Sequence, residues 1–232
     1  MSVLAVIPAR GASKGIPGKN LRTVGGVPLI AQSVQITAAA STVDRVVVST
    51  DDPTIANMAR AHGAETIDRP AEISGDTASS ESALFHALDH LLETEDYNPD
   101  VVMLIQCTAP FTTTEDIESV VALLDAQNAD SAFAAAPFGQ FVWSLDADGA
   151  ARGVNHDDKV RLRRQDLASE FVEVGSAYAM RVSAFRRERT RFCGRTVLYC
   201  IDPKRYFDID EPDDLVIANI LAREFLSPVK SP

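Results

Sequence analysis

Through its first 136 residues this chain alternates short apolar runs with amphipathic stretches about three turns long, which leaves few folds open. The apolar runs fall at 3–7, 45–49, 64–67, 101–105 and 132–136, and several are rich in valine and isoleucine. Runs of that length and composition predict strands buried on both faces. Between them, 28–40, 53–62, 79–92 and 114–127 carry apolar residues at helical spacing. Pro28 and Pro53 suit a first helical turn, Thr114 suits a cap, and Gly63 suits a helix end. Leu84, Leu88 and Leu91 share one side of the third helix. Strand–helix alternation predicts an α/β fold: a mostly parallel, doubly wound, Rossmann-like sheet with helices on both faces. Ligands of such sheets bind at the carboxyl ends of the strands. Arg10, Asp51, Arg69 and Gln106 all end or follow strands and are candidates for that edge.

The pattern breaks after Pro137. Residues 138–145 are aromatic and extended, and Asp146-Ala-Asp-Gly149 is a turn signal. Residues 154–166 are polar and basic, with Asn155, His156, Lys159, Arg161, Arg163, Arg164 and Gln165. Such a stretch suits either a solvated loop or an insertion that packs on another subunit. Alternation resumes at 171–180 and 197–201, and a last helix is predicted over 211–225. The 232 residues suit one domain spanning 1–232, with 138–172 as an insertion. A net charge of -11 opposes contact with nucleic acid or an anionic membrane, so clustered cations become informative. No stretch is long and apolar enough to span a bilayer. Cys107, Cys193 and Cys200 lack zinc-site spacing, and an odd count points to a reducing, cytoplasmic setting.

The loop after the first strand concentrates the chemistry. It interleaves Gly11, Gly15 and Gly18 with Arg10, Lys14 and Lys19, a composition that suits a polyphosphate. It fits neither familiar phosphate-loop pattern: Ser13 stands where the Walker pattern needs glycine, and the dinucleotide fingerprint fails at Ser13 and Ile16. Far along the chain, Asp208-Ile-Asp210 spaces two carboxylates so that an extended backbone turns both to one side. Paired hard oxygen donors suit Mg2+ on a triphosphate. The competing reading makes Asp210 the cap of the last helix. His86 and His90 stand four apart on a helix, but no third ligand accompanies them, so a zinc site is rejected.

The run Arg10-Gly-Ala-Ser-Lys-Gly-Ile-Pro-Gly-Lys-Asn20 resembles the signature of the acylneuraminate (sialic acid) cytidylyltransferases. Segments at 46–51, 69–80, 106–110, 163–167 and 208–210 resemble the same family in the same order. The resemblance implies a nucleotide-diphospho-sugar transferase fold and transfer of CMP from CTP to the anomeric hydroxyl of a 2-keto sugar acid, with release of pyrophosphate. It implies catalytic roles for Arg10, Lys19, Asp208 and Asp210, with Mg2+ on the two carboxylates. Nucleotide contacts are implied for Ala9, Arg10, Gly11, Ser13, Lys19, Asn20, Arg69, Ala78 and Ser80. Sugar contacts are implied for Gln106, Arg164, Gln165, Val174 and Tyr178. The family's insertion is a dimerisation element, so a homodimer through 138–172 is expected. Val174 stands where sialic acid enzymes carry an asparagine that helps to hold the sugar, which implies an altered acceptor. The alternatives are a legionaminic, pseudaminic, Kdn or Kdo-like acid, or a nucleotide-binding protein without turnover.

Overall fold

A computed structural model describes residues 1–160, 162, 163, 166 and 168–226. Chain order gives β1 (Val3–Pro8), the short pair β2 (Thr23–Val24) and β3 (Val27–Pro28), α1 (Leu29–Ala38), β4 (Arg45–Thr50), α2 (Pro53–Ala61) and β5 (Glu65–Asp68). Next come α3 (Ser80–Glu95), β6 (Val101–Ile105), α4 (Thr114–Ala126), β7 (Ser131–Phe138), β8 (Trp143–Leu145) and β9 (Ala151–Gly153). The chain ends with β10 (Glu170–Arg181), α5 (Val182–Glu188), β11 (Thr196–Cys200) and α6 (Pro212–Phe225). The main sheet has seven strands in the order β11-β7-β10-β6-β1-β4-β5. The pairs β1·β4, β1·β6, β4·β5 and β11·β7 are parallel. Only β10 runs against its neighbours β6 and β7.

Alternate side chains of the central strands enter separate cores, as a pleated strand buried on both faces requires. Val3, Ala5 and Ile7 join residues of α1, α2, α4 and α6 on one face. Leu4 and Val6 join Leu84, Leu88 and Leu91 of α3 and Phe185 of α5 on the other. The helix ends are capped by local chemistry. Asp52 accepts from the amides of Thr54 and Ile55, with Pro53 in the first turn. Thr113, one residue before the expected cap, forms a reciprocal capping box with Asp116.

The region where alternation fails is a two-stranded ribbon outside the main sheet. Trp143, Ser144 and Leu145 pair with Gly153, Arg152 and Ala151 around the expected turn, where Gly149 has φ +85°. Asn155 fastens the ribbon from below: its amide donates to the carbonyl of Gln140 at 2.9 Å, and its oxygen accepts from the amide of Val142 at 2.8 Å. His156 sits edge-on to Phe141 and Trp143. These two residues of the polar run are therefore structural parts of the ribbon.

Candidate functional site

The parallel strands deliver their following residues to one edge, where a cavity of about 600 Å3 opens. Arg10, Ser13, Lys14, Lys19 and Asn20 reach it from the loop after β1. Arg69 reaches it after β5, Gln106 and Thr108 after β6, and Ala78 and Ser80 at the start of α3. Asp208 and Asp210 come from the segment before α6. The amino terminus of α3 is capped by Ser79, which accepts from the amide of Ser82, and its dipole faces the cavity with positive sign.

Two contacts hold the loop after β1 in place. The amide of Asn20, a buried residue, donates to the carbonyl of Arg10 at 3.0 Å. Gly15 lies so close to the backbone carbonyl of Asp210 that a Cβ there would overlap it. The loop and the carboxylate segment thus touch backbone to backbone, which only glycine allows. Lys19 spans the same junction, donating to the carbonyl of Ile209 at 2.6 Å and pairing with Asp210 at 3.1 Å.

Between the two aspartates, Ile209 is fully buried in the core, and both carboxylates line the cavity. The segment is fixed by the amide of Ile209 donating to the carbonyl of Thr108 at 2.9 Å. Burial, together with the charge of Asp210, raises the Asp208 carboxyl above its ordinary value, against hydrogen bonding from Thr108 and the charge of Lys19. Asp210 does not cap α6. Glu211 does so in a capping box with Asp214, whose carboxylate accepts from the amides of Asp210 and Glu211. Among the described residues no cluster of three or more His, Cys, Asp or Glu could hold a metal by itself. A cation on Asp208 and Asp210 would need further oxygens, such as those of a phosphate chain.

Arg69 is buried to 8% exposure and donates to the carbonyl of Ser49 at 2.5 Å. Its Nε has no hydrogen-bond partner among the described residues. Burial lowers its affinity for a proton, with Asp51 opposing and Arg10 reinforcing that shift. Gly11, which gives its amide to Asp51 at 2.9 Å, and Ala9, which is fully buried, are not among the residues that line the cavity.

Two expected sugar contacts lie elsewhere. Val174 is 3% exposed and belongs to the core cluster. A register shift in β10 follows it, between Glu173 and Tyr178, where Gly175 takes φ +71°. Val174 shares its strand face with Val172, which packs on the same core, while a Cβ on Gly175 would lie 3.8 Å from Asp208 and 3.9 Å from Gln106. An altered acceptor therefore cannot be argued from Val174. Tyr178 is 1% exposed in the opposite core, and its hydroxyl donates to Glu173. Arg164 and Gln165 lie outside the described residues. Lys14, one of the three cations of the loop after β1, also lines the cavity, as do Thr108 and Asp76, which the sequence did not mark as contacts. The position of Thr108 just beyond a buried strand was the available signal.

Cations, two carboxylates and a helix amino terminus thus meet at the carboxyl edge of a mostly parallel α/β sheet. A family model described as cytidylyltransferase matches residues 4–209, and the chain belongs to that family. It is 32% identical over 221 residues to N-acylneuraminate cytidylyltransferase A of Danio rerio, covering 93% of this chain and 50% of that protein. It is 30% identical over 226 residues to the pseudaminic acid cytidylyltransferase of Campylobacter jejuni, covering 95% of this chain and 96% of that one. The CMP-N,N'-diacetyllegionaminic acid synthase of Legionella pneumophila is 40% identical over 124 residues, about half of each chain. The chain spans about half the length of the N-acylneuraminate cytidylyltransferases that it matches. The fold is also that of a solved CMP:2-keto-3-deoxy-manno-octonic acid synthetase complexed with CTP, with a TM-score of 0.68 at 20% identity, covering 97% of this chain and 100% of that one.

Proposed function

We propose that this chain transfers CMP from CTP to the anomeric hydroxyl of a nonulosonate-type 2-keto sugar acid and releases pyrophosphate. The observation that carries the reading is the meeting of Lys19 with the Asp208–Asp210 segment inside the cationic cavity, at 2.6 and 3.1 Å. A phosphate chain laid along the loop after β1 would meet Arg10, Lys14 and Lys19, which offset its charge. The α3 amino terminus adds favourable backbone dipoles. Lys19 is well placed to follow charge onto the departing pyrophosphate, since its short contacts fix its ammonium at the junction of loop and carboxylates. Catalysis then rests on positioning and electrostatics rather than on covalent chemistry by the protein.

Asp208 and Asp210 suit Mg2+ by their donor chemistry, and the raised proton affinity of Asp208, due first to burial and in part to the charge of Asp210, is one that a bound cation would offset. Bound there, Mg2+ would neutralise phosphate charge and orient the triphosphate. Gln106 and the backbone at Gly175 flank Asp208 and are suited to the acceptor. We assign 138–172 to a homodimer interface, on the support of the apolar side chains that this region exposes.

The test is pyrophosphate release from CTP with N-acetylneuraminate, Kdn, pseudaminic, legionaminic and Kdo acceptors, with and without chelator. The reading expects release with at least one acceptor, loss of release in chelator, and much weaker activity with ATP, GTP or UTP. No release with any acceptor, or undiminished release in chelator, contradicts it.

A further inference from the structure

Asp76, on the loop before α3, pairs with two of the three cations in the loop after β1. Its carboxylate lies 3.2 Å from Arg10 and 3.1 Å from Lys14. Arg10 is drawn to the same place by a hydrogen bond to the carbonyl of Gly75 at 2.9 Å. The third cation, Lys19, has its own carboxylate in Asp210. The cations that would grip a phosphate chain are thus already neutralised, in part, by the protein itself.

The Asp76 contacts are not required to build the loop that carries them. Ser74 anchors that loop by donating to the carbonyl of Pro70 at 2.8 Å. The amide of Ala78 donates to the carbonyl of Gly75 at 3.1 Å, and Ser79 caps α3. Among the described residues the Asp76 side chain has no other hydrogen-bond or ion-pair partner. It lines the cavity and is 42% exposed, so solvent screens both of its pairs. A carboxylate in weak pairs with the phosphate cations resembles, in charge and hydrogen-bonding character, the ligand those cations would bind.

We propose that Asp76 is an internal competitor for the phosphate chain: it exchanges with phosphate oxygens on Arg10 and Lys14, and it re-forms those pairs as pyrophosphate leaves. The inference rests on the proposed function and adds a turnover role to a residue outside the reacting centre. Because Asp76 competes at cations that hold substrate and product alike, removing it should tighten both. Tighter binding of that uniform kind does not accelerate the chemical step, and it slows escape of the product.

The experiment is calorimetric titration of inorganic pyrophosphate, with Mg2+ and at low salt, into wild type, Asp76→Asn and Asp76→Glu. Thermal unfolding checks that each variant is folded. The competitor role expects Asp76→Asn to bind pyrophosphate about fivefold tighter, the scale on which weak exposed ion pairs act. Asp76→Glu, which keeps the charge, should bind as wild type does. Pyrophosphate should also inhibit Asp76→Asn turnover at correspondingly lower concentration. Equal or weaker binding by Asp76→Asn overturns the inference alone, and would mean that Asp76 orients the cations for phosphate. Failure of wild type and both variants to bind pyrophosphate overturns the inference together with the function on which it rests.

Discussion

Asp208 holds a charge that the fold opposes. Burial and the neighbouring Asp210 raise its carboxyl above the ordinary value. A carboxylate whose folded pKa is raised costs the native state stability once pH rises through that pKa, and the cost vanishes when pH falls below the unfolded value. Asp208→Asn should therefore unfold at higher urea concentration than wild type at neutral pH in chelator. The gain should shrink toward zero in acid. Turnover should fall sharply in the same variant, the usual exchange between stability and a charged active site. Urea titrations at the two pH values check the first part and pyrophosphate release checks the second. Lys19 makes the complementary case. Its short contacts to Ile209 and Asp210 place the ammonium before any ligand arrives. Lys19→Ala should lower kcat at saturating CTP on the order of a hundredfold. A variant changed only in KM would show that Lys19 serves ground-state binding instead.

The elements that carry these residues are aligned by a contact far from the reacting atoms. Arg205, in the short 3-10 turn Pro203–Arg205, donates to Asp116 at 2.8 Å and to the carbonyl of Phe111 at 3.1 Å. Asp116 is 1% exposed and also closes the capping box of α4. The turn is thereby pinned to α4 just before the chain runs on to Asp208. Removing one member of a buried pair strands the other charge. Arg205→Ala should cost about 3 kcal/mol in urea unfolding. Arg205→Ala with Asp116→Ala should cost less than the sum of the two single changes, because the orphaned charge is gone. The sequence could not show this pair, whose members are 89 positions apart and have no local signature. It did show the strands around it, because Val3–Pro8 and Val101–Ile105 are apolar on both faces and admit little but a buried strand. The loop after β1 was legible for a similar reason: its glycines and cations are contiguous. The direction of β10 was not legible, since alternation of side chains gives a strand's period but not its polarity. Val174 was expected at the sugar only from the resemblance of its segment; in the fold it shares a strand face with Val172 and packs in the core.

At the scale of the whole molecule, the ribbon β8–β9 shows what the chain leaves uncovered. A two-stranded antiparallel ribbon standing alone is marginal in water and needs a surface to pack on. Asn155 and His156 stiffen this one from within, yet its outer side chains find no cover in the described chain. Trp143 is 49% exposed, Leu145 74% and Val154 60%, with Phe171 of β10 at 44% nearby. Apolar groups grouped in this way, on a protein of net charge -11, suit a contact surface better than a solvated loop. The proposed homodimer would satisfy the requirement: two-fold symmetry would set ribbon against ribbon or ribbon against β10, so that each patch covers its equivalent. The ribbon lies beyond the carboxyl end of β7, on the edge that holds the cavity, so dimerisation and the acceptor side of the site are expected to be coupled. Sedimentation equilibrium should find a dimer for wild type. A charge at the centre of the patch should disrupt it, and Trp143→Asp with Leu145→Asp should sediment as a folded monomer with unchanged far-ultraviolet circular dichroism. In that monomer, CTP binding should persist, because the cations and the α3 terminus belong to one chain. Acceptor-dependent pyrophosphate release should fall at least tenfold if the partner helps to enclose the acceptor, as a lost buried polar contact would predict. A fully active monomer would assign the ribbon to another role and leave each chain with a complete site of its own.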